Sequence, residues 1–242
     1  MNLIKTKQRV LAEFPTCYAC ESPKTSMEHA PPRCFFPEAT DEKGNSLFRR
    51  NLIKVPSCEK HNTEKSGDDT YAVWHIAGLK GVNHCGEMVH GKLHRMAQHD
   101  RDKRNGALIK RLMGEAIGVS ADGDLAGRLD GERMQRFLCS AARALYFYET
   151  FKKLTVPLRV TNLSNCYQDP EHLKKLLKRE VFFESEMNSA PILGANPEVF
   201  SYSIREKADG IILVQMTFYG TLKHWAFFNP ALSDSTVSAK SY

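Results

Sequence analysis

From Val199 onward the apolar positions recur every second residue. Phe200, Tyr202 and Ile204 alternate with Ser201, Ser203 and Arg205, the pattern of a strand with one face buried. Lys207-Ala208-Asp209-Gly210 makes a turn, residues 211–219 form an apolar strand, and the chain returns over 222–229 after Tyr219-Gly220. The prediction is a three-stranded antiparallel meander. Upstream the period becomes helical. Asp130 can cap a helix running to about Leu154, with Leu138, Ala141, Ala142, Leu145 and Tyr148 on one face. Asp169-Pro170-Glu171 marks another helix start, a capping carboxylate followed by a proline where no N–H is needed. Residues 83–119 read as helix broken at Gly86, Gly91, Gly106 and Gly114, 121–124 as a loop, and 231–242 as a small, polar, frayed tail. Residues 1–80 differ: they have few long periodic segments and are dense in Cys, His, Pro and short polar turns. No internal repeat or low-complexity tract interrupts the chain. The expectation is an α+β protein with a module over 1–80 and a mixed helical and antiparallel-sheet domain over 81–242.

Composition narrows the class without naming a function. The 242 residues are 42% apolar and 26% charged, an ordinary globular balance that excludes wholesale disorder. Apolar runs such as Ile211 to Val214 are a strand's worth, far below the ~18 residues of a membrane span. The N-terminus has no apolar run followed by a small-residue cleavage site, so the expected location is the cytoplasm. A net charge of +6 permits contact with a polyanion, but no basic block concentrates it. Seven cysteines, an odd number, suggest thiols or metal ligands more than disulfides.

Four residues have metal-ligand spacing: Cys17-x-x-Cys20 and Cys58-x-x-His61. A two-residue spacer lets one tight turn aim two ligands at one ion, and two such turns close a tetrahedral zinc site. The alternative is two free buried cysteines with incidental neighbours. Turn-forming residues flank both pairs, Glu21-Ser22-Pro23 and Pro56-Ser57. With all four positions filled by protein, such a zinc is a structural staple and not a catalyst.

Between the half-sites stands Glu28-His29-Ala30-Pro31-Pro32-Arg33, and Asn51 to Ser57 leads into the second. The two prolines keep His29 out of a helix interior and place it at a strand end or loop. Leu52, Ile53 and Val55 suit a short strand, and Glu59 to Lys65 suits a helix capped by Ser57. The predicted order is strand, loop, strand, helix, clamped at the base by zinc.

Glu28-His29, Asn51 and Cys58-x-x-His61-Asn62-x-x-Lys65 together resemble the motif of the HNH nucleases, the zinc-knuckle variety with the ββα-metal fold. The resemblance spans roughly residues 15–75. It implies that His29 is the general base, that Glu28 and Asn62 hold one divalent cation (Mg²⁺ or Mn²⁺), and that Asn51 orients the loop. It also implies a DNA substrate, with RNA as an alternative. This sequence has Glu28 where Asp is commoner, Asn62 for the last His, and His61 for the fourth knuckle Cys. The first two keep oxygen ligands, which magnesium prefers. The residue chemistry agrees independently: phosphodiester hydrolysis needs an activated water and a cation on the developing charge. Arg33, Arg49, Arg50, Lys54 and Lys65 are the candidate phosphate contacts, each weighed against an ordinary solvated face. A stand-alone chain of this kind suggests phage defence or a mobile element by analogy. The rival readings are a non-catalytic zinc module that binds nucleic acid or protein, and an RNA-cleaving toxin.

Other residues invite less. Asp68-Asp69 after Ser66-Gly67 fits a helix start better than an added ligand pair. His84, His90, His94 and His99 form only a loose, irregular cluster. Cys34 is expected to be a buried thiol, and Cys85, Cys139 and Cys166 small hydrophobes. Trp74, Trp225, Phe227 and Phe228 are expected in the core. Residues 81–242 are assigned substrate grip, oligomerisation or contact with a protein regulator.

Overall fold

The computed structural model describes residues 3–104, 106–113, 117–119, 125–127, 129–154, 158–161 and 170–230. The predicted loop at 121–124, the tail at 231–242, the cap at Asp169 and the thiol Cys166 lie outside these residues. Among the described residues the chain is α+β. Helix α1 (Leu3–Glu13) precedes strands β1 (Ser26–His29) and β2 (Lys54–Ser57), with a 3₁₀ turn at Arg33–Phe35 between them. Helices α2 (Ser66–Ala77), α3 (His84–Arg104) and α4 (Ala107–Met113) follow. A short hairpin of β3 (Ile117–Val119) and β4 (Leu125–Gly127) leads to α5 (Gly131–Thr150). The chain closes with β5 (Leu158–Thr161), α6 (Pro170–Met187), β6 (Leu193–Asn196), β7 (Phe200–Glu206), β8 (Ile212–Phe218) and β9 (Leu222–Phe228).

The predicted meander is present as β7-β8-β9, with Phe200 opposite Phe218 and Ile212 opposite Phe228. It is larger than expected. β6 adds to one edge and β5 to the other, giving a five-stranded antiparallel sheet in the order β5-β9-β8-β7-β6. β6 escapes sequence reading because Gly194 and Ala195 break the alternation; Gly194 takes φ 123°, and a Cβ there would lie 2.9 Å from the Phe200 carbonyl oxygen. The helix capped by Asp130 forms and ends at Thr150, where Phe151 turns to φ 58°, short of the expected Leu154. Its Asp130 carboxylate accepts from the amides of Glu132 and Arg133, satisfying two orphan donors of the first turn.

α5 organises the molecule. Met134, Phe137, Leu138, Ala141, Ala142 and Leu145 join a core with the sheet residues Phe200, Tyr202, Val214, Met216, Phe218 and Ala226. Ala144, Phe147 and Tyr148 join a second cluster with Leu11, Cys17, Tyr18, Val55 and Cys58. One helix thus serves as a wall for both the sheet and the β1-β2 ribbon. Residues before position 80 also enter the larger core: Phe35 stacks on Phe137 at 5.2 Å and meets Phe218 at 5.0 Å. The change of composition near residue 80 therefore does not coincide with a break in the core.

Two other helix boundaries differ from expectation. α3 runs unbroken through Gly86 and Gly91 and ends at Arg104, before Gly106, whose φ is 68°. A Cβ at Gly86 would lie 2.6 Å from Val82 Cβ and 3.0 Å from the Tyr219 ring, so this glycine allows close packing instead of breaking the helix. The second difference concerns Glu59 to Lys65, which form successive turns, not a helix, and α2 begins at Ser66. The Glu59 carbonyl accepts from both Asn62 and Glu64 amides, a tight wrap that aims Cys58 and His61 at one point. Ser57 caps nothing: its hydroxyl donates to Glu28 Oε2 and to the Cys58 carbonyl. Asp68 and Asp69 do occupy the first turn of α2, where negative charge suits the helix dipole. Asp68 is bound there by Arg133 and Arg136 of α5. No described helix is long and apolar enough to cross a membrane.

A candidate metal centre and the histidine beside it

The first knuckle is held by backbone. Cys17 N donates to the Ser22 carbonyl, and Tyr18 N donates to the Pro56 carbonyl, tying the knuckle to β2. Lys24 and Thr25 amides complete the tie at Pro15 and Ser57. These bonds bring Cys17, Cys20, Cys58 and His61 together with all ligand atoms within 4.8 Å of one another. His61 Nδ1 lies 3.5 Å from Cys17 Sγ, 3.5 Å from Cys20 Sγ and 3.3 Å from Cys58 Sγ, and Cys20 Sγ is 3.8 Å from Cys58 Sγ. A zinc tetrahedron with bonds of about 2.3 Å to sulfur and about 2.0–2.1 Å to nitrogen has S···S edges of ~3.8 Å and S···N edges of ~3.6 Å. The observed edges match, so the group fits one metal ion such as zinc.

The electrostatics of the four ligands depend on that ion. Burial pushes the Cys17 thiol up to about 11, so without a cation it stays protonated at neutral pH. Burial, with Lys60 next, holds His61 below the usual histidine range, leaving its imidazole neutral and able to ligate. Metal binding would release thiol protons and add its free energy to folding.

Above the clasp, β1 and β2 pair with Ser26 opposite Ser57 and His29 opposite Lys54. Ser26 and Glu28, two apart on the strand, share a face. Asn62 Nδ2 donates to Ser26 Oγ at 2.7 Å, which leaves Oδ1 as its oxygen donor. Glu28 is buried, accepts from Ser57 Oγ at 3.3 Å and meets Lys65 Nζ at 2.5 Å. The same ammonium lies 2.8 and 2.9 Å from the two oxygens of Asp69. Burial drives the Glu28 carboxyl above the usual range, and the Lys65 charge opposes it. Burial takes the Glu28 carboxyl up to about 7 and lifts Asp69 as well, so at neutral pH the single ammonium stands between two carboxyl groups of which Glu28 is only partly ionised.

His29 closes β1 and is half-buried. Burial first, then the charges of Lys54, Arg33 and Arg49, hold its pKa below the usual value. The imidazole is therefore neutral at pH 7 with a lone pair to offer. Of the five predicted phosphate contacts, Arg33, Lys54 and Arg50 are exposed. Arg49 is committed to Glu38 Oε1 at 2.9 Å and the Phe36 carbonyl at 3.0 Å. Lys65 is drawn inward by Glu28 and Asp69, so its expected role as a surface phosphate contact is replaced by an internal ion pair. Asn51 sits in the left-handed region at φ 51°, a conformation asparagine tolerates better than most residues. It lines a cavity of about 310 Å³ with Lys7, Ile53, Tyr148, Glu149 and Tyr202. Cys34, expected to be buried, is exposed.

Sequence reading missed three members of this region. Asp69 reads from sequence as a helix start in preference to a ligand, and Ser26 and Ser57 are serines with no signature spacing. A pairing register was needed to bring them to Asn62 and Glu28. Comparison with protein-family models, curated proteins and solved structures gives no match.

Proposed function

We propose that this chain is a metal-dependent nuclease of the HNH type, hydrolysing phosphodiester bonds in DNA. The observation that supports the reading best is His29: a neutral imidazole at the end of a metal-clasped ribbon, beside the exposed cations Arg33 and Lys54. His29 takes the proton from the attacking water, and the two cations meet phosphate oxygens. The Glu28 carboxylate and the Asn62 amide oxygen are hard donors of the kind Mg²⁺ or Mn²⁺ takes, and a bound cation would favour the ionised form of Glu28. That ion would supply stabilisation of charge on the phosphate. Zinc at Cys17, Cys20, Cys58 and His61 holds the ribbon in register and takes no part in the reaction.

A second reading has one observation in its favour. Glu28 already has a counter-ion in Lys65, as expected of a zinc module that binds nucleic acid without cutting it. Single-turnover cleavage of plasmid DNA and structured RNA, with Mg²⁺ or EDTA, separates the two. The nuclease reading expects Mg²⁺-dependent cleavage that falls by on the order of 10²–10⁴ in His29→Ala, with zinc content and DNA affinity unchanged. Cleavage at the wild-type rate by His29→Ala removes this site from the reaction. Wild-type protein that cuts neither substrate with any divalent cation moves the reading to the binding module.

A further inference from the structure

We propose that His84, Cys85 and Glu198 form a second metal site, open to solvent and suited to Zn²⁺ or Co²⁺. This site is independent of the nuclease reading. One ligand atom from each residue lies within 4.8 Å of the other two. His84 Nε2 and Cys85 Sγ are 3.4 Å apart, the same S···N spacing as the 3.3–3.5 Å edges of the Cys₃His clasp. The thiol is buried, while His84 and Glu198 are exposed, so the sulfur faces inward and the ligand set opens toward water.

The backbone around these ligands is tied down from three directions. Asn83 Oδ1 accepts from the amides of Cys85 and Gly86 at 3.0 and 3.3 Å, and Asn83 Nδ2 donates to the Glu198 carbonyl at 2.7 Å. One side chain therefore caps α3 and pins the turn between β6 and β7, placing Glu198 against His84 and Cys85. From below, Thr221 Oγ1 donates to the Gly81 carbonyl at 2.9 Å. Val82 and the Tyr219 ring leave no space for a side chain at Gly86. Ligands on a backbone this constrained need little rearrangement to receive an ion.

The donor set selects the metal class. Thiolate and imidazole favour zinc and its neighbours over magnesium or calcium, and a carboxylate is an accepted third zinc ligand. Four protein ligands close the clasp site, but three leave a fourth position for water or a substrate atom. The ordinary alternative is a buried cysteine acting as a small hydrophobe, with His84 packed edge-on to Phe48 at 6.1 Å and a glutamate that is near by chance.

Metal content and cobalt spectroscopy of the full chain decide between them. Wild-type protein saturated with Zn²⁺ at neutral pH should hold two ions per chain. His84→Ala and Glu198→Gln, both at exposed positions, should keep the fold and the clasp zinc while affinity for the second ion drops at least about tenfold. Co²⁺ added to protein with one zinc per chain should produce a thiolate-to-cobalt charge-transfer band, absent in Cys85→Ala. A single ion in saturated wild-type protein overturns the proposal. So does a second ion whose affinity and spectrum are unchanged in all three variants.

Discussion

Against one side of α5 lies a five-stranded sheet whose core counts 28 buried residues among those described; against the other, a two-stranded ribbon shares a cluster of nine. The sheet side is held by apolar area. Phe200, Phe218, Phe137 and Phe35 interlock, with ring centroids 4.9–6.2 Å apart, and a core of that size stands without a staple. The ribbon side has four-residue strands, and two paired strands alone are marginal in water. Two of its nine buried residues are the metal ligands Cys17 and Cys58. Where apolar area runs short, a metal ion held by the Cys₃His group would add its binding free energy to folding. The smaller side holds the Cys₃His group that could take a metal ion, and α5 supplies the wall it packs against.

The largest expected effect tests that contrast directly. Cys58→Ser, or zinc removal by a strong chelator, should strip the ribbon of order, because structural zinc contributes ~10–16 kcal/mol of apparent binding energy in small domains. Hydrogen exchange should show amides of β1 and β2 losing protection while those of β7, β8 and β9 keep theirs. Purified protein that contains no zinc yet keeps β1 and β2 protected would break the comparison. Next in size is Phe147→Ala. Phe147 is fully buried on the ribbon side of α5 and meets Phe14 edge-on at 5.0 Å. Removing it should cost about 3–5 kcal/mol, read from denaturant midpoints, and should release the ribbon before the sheet.

Two smaller effects depend on pH. His224 is a buried sheet histidine with both ring nitrogens unpartnered, and burial pushes its pKa down to about 4. The folded state therefore binds fewer protons than the unfolded chain, whose histidine titrates near ~6.5. Its contribution is intact above that value and is lost progressively as pH falls toward about 4. Between pH 7 and pH 5 this amounts to about 2 kcal/mol. His224→Leu should flatten the acid-side fall in stability relative to wild type; equal slopes would disprove it. His29 sits lower on the scale of effects. Its pKa is depressed by burial and by Lys54, Arg33 and Arg49, so the acid limb of any cleavage activity should lie below ~6.5. Arg33→Ala removes one repelling charge and should move that limb upward by a few tenths of a unit, measured as the pH profile of single-turnover cleavage. A limb that stays put assigns His29 no part in the titration.

How far the sequence could be read follows the same division. Alternation in 199–229 placed β7, β8 and β9, and an Asp cap with a 3.6-residue apolar stripe placed α5, because both patterns report burial on one face. The knuckle spacing located all four clasp ligands, because the turn that aims two ligands is local. The helix expected from Glu59 to Lys65 was misjudged for the same reason: wrapping toward the clasp outweighs local helix preference in those seven residues. Leu3 to Glu13 carries an amphipathic pattern that went unused, although Leu11 is fully buried against the ribbon.

The chain alone determined which chemistry is available: a paired Cys/His clasp, an Asn at a turn, and a histidine followed by two prolines. Those are properties of neighbours within a few residues. Partners brought from far along the chain were decided only in three dimensions. Lys65 lies inward because Glu28, from strand β1, and Asp69 converge on it. His84 and Cys85 gain Glu198 because Asn83 bonds across to the β6-β7 turn. A long-range pair of this kind leaves no periodicity or spacing in the sequence, since its energy depends on a register and a packing that exist only after the core has formed.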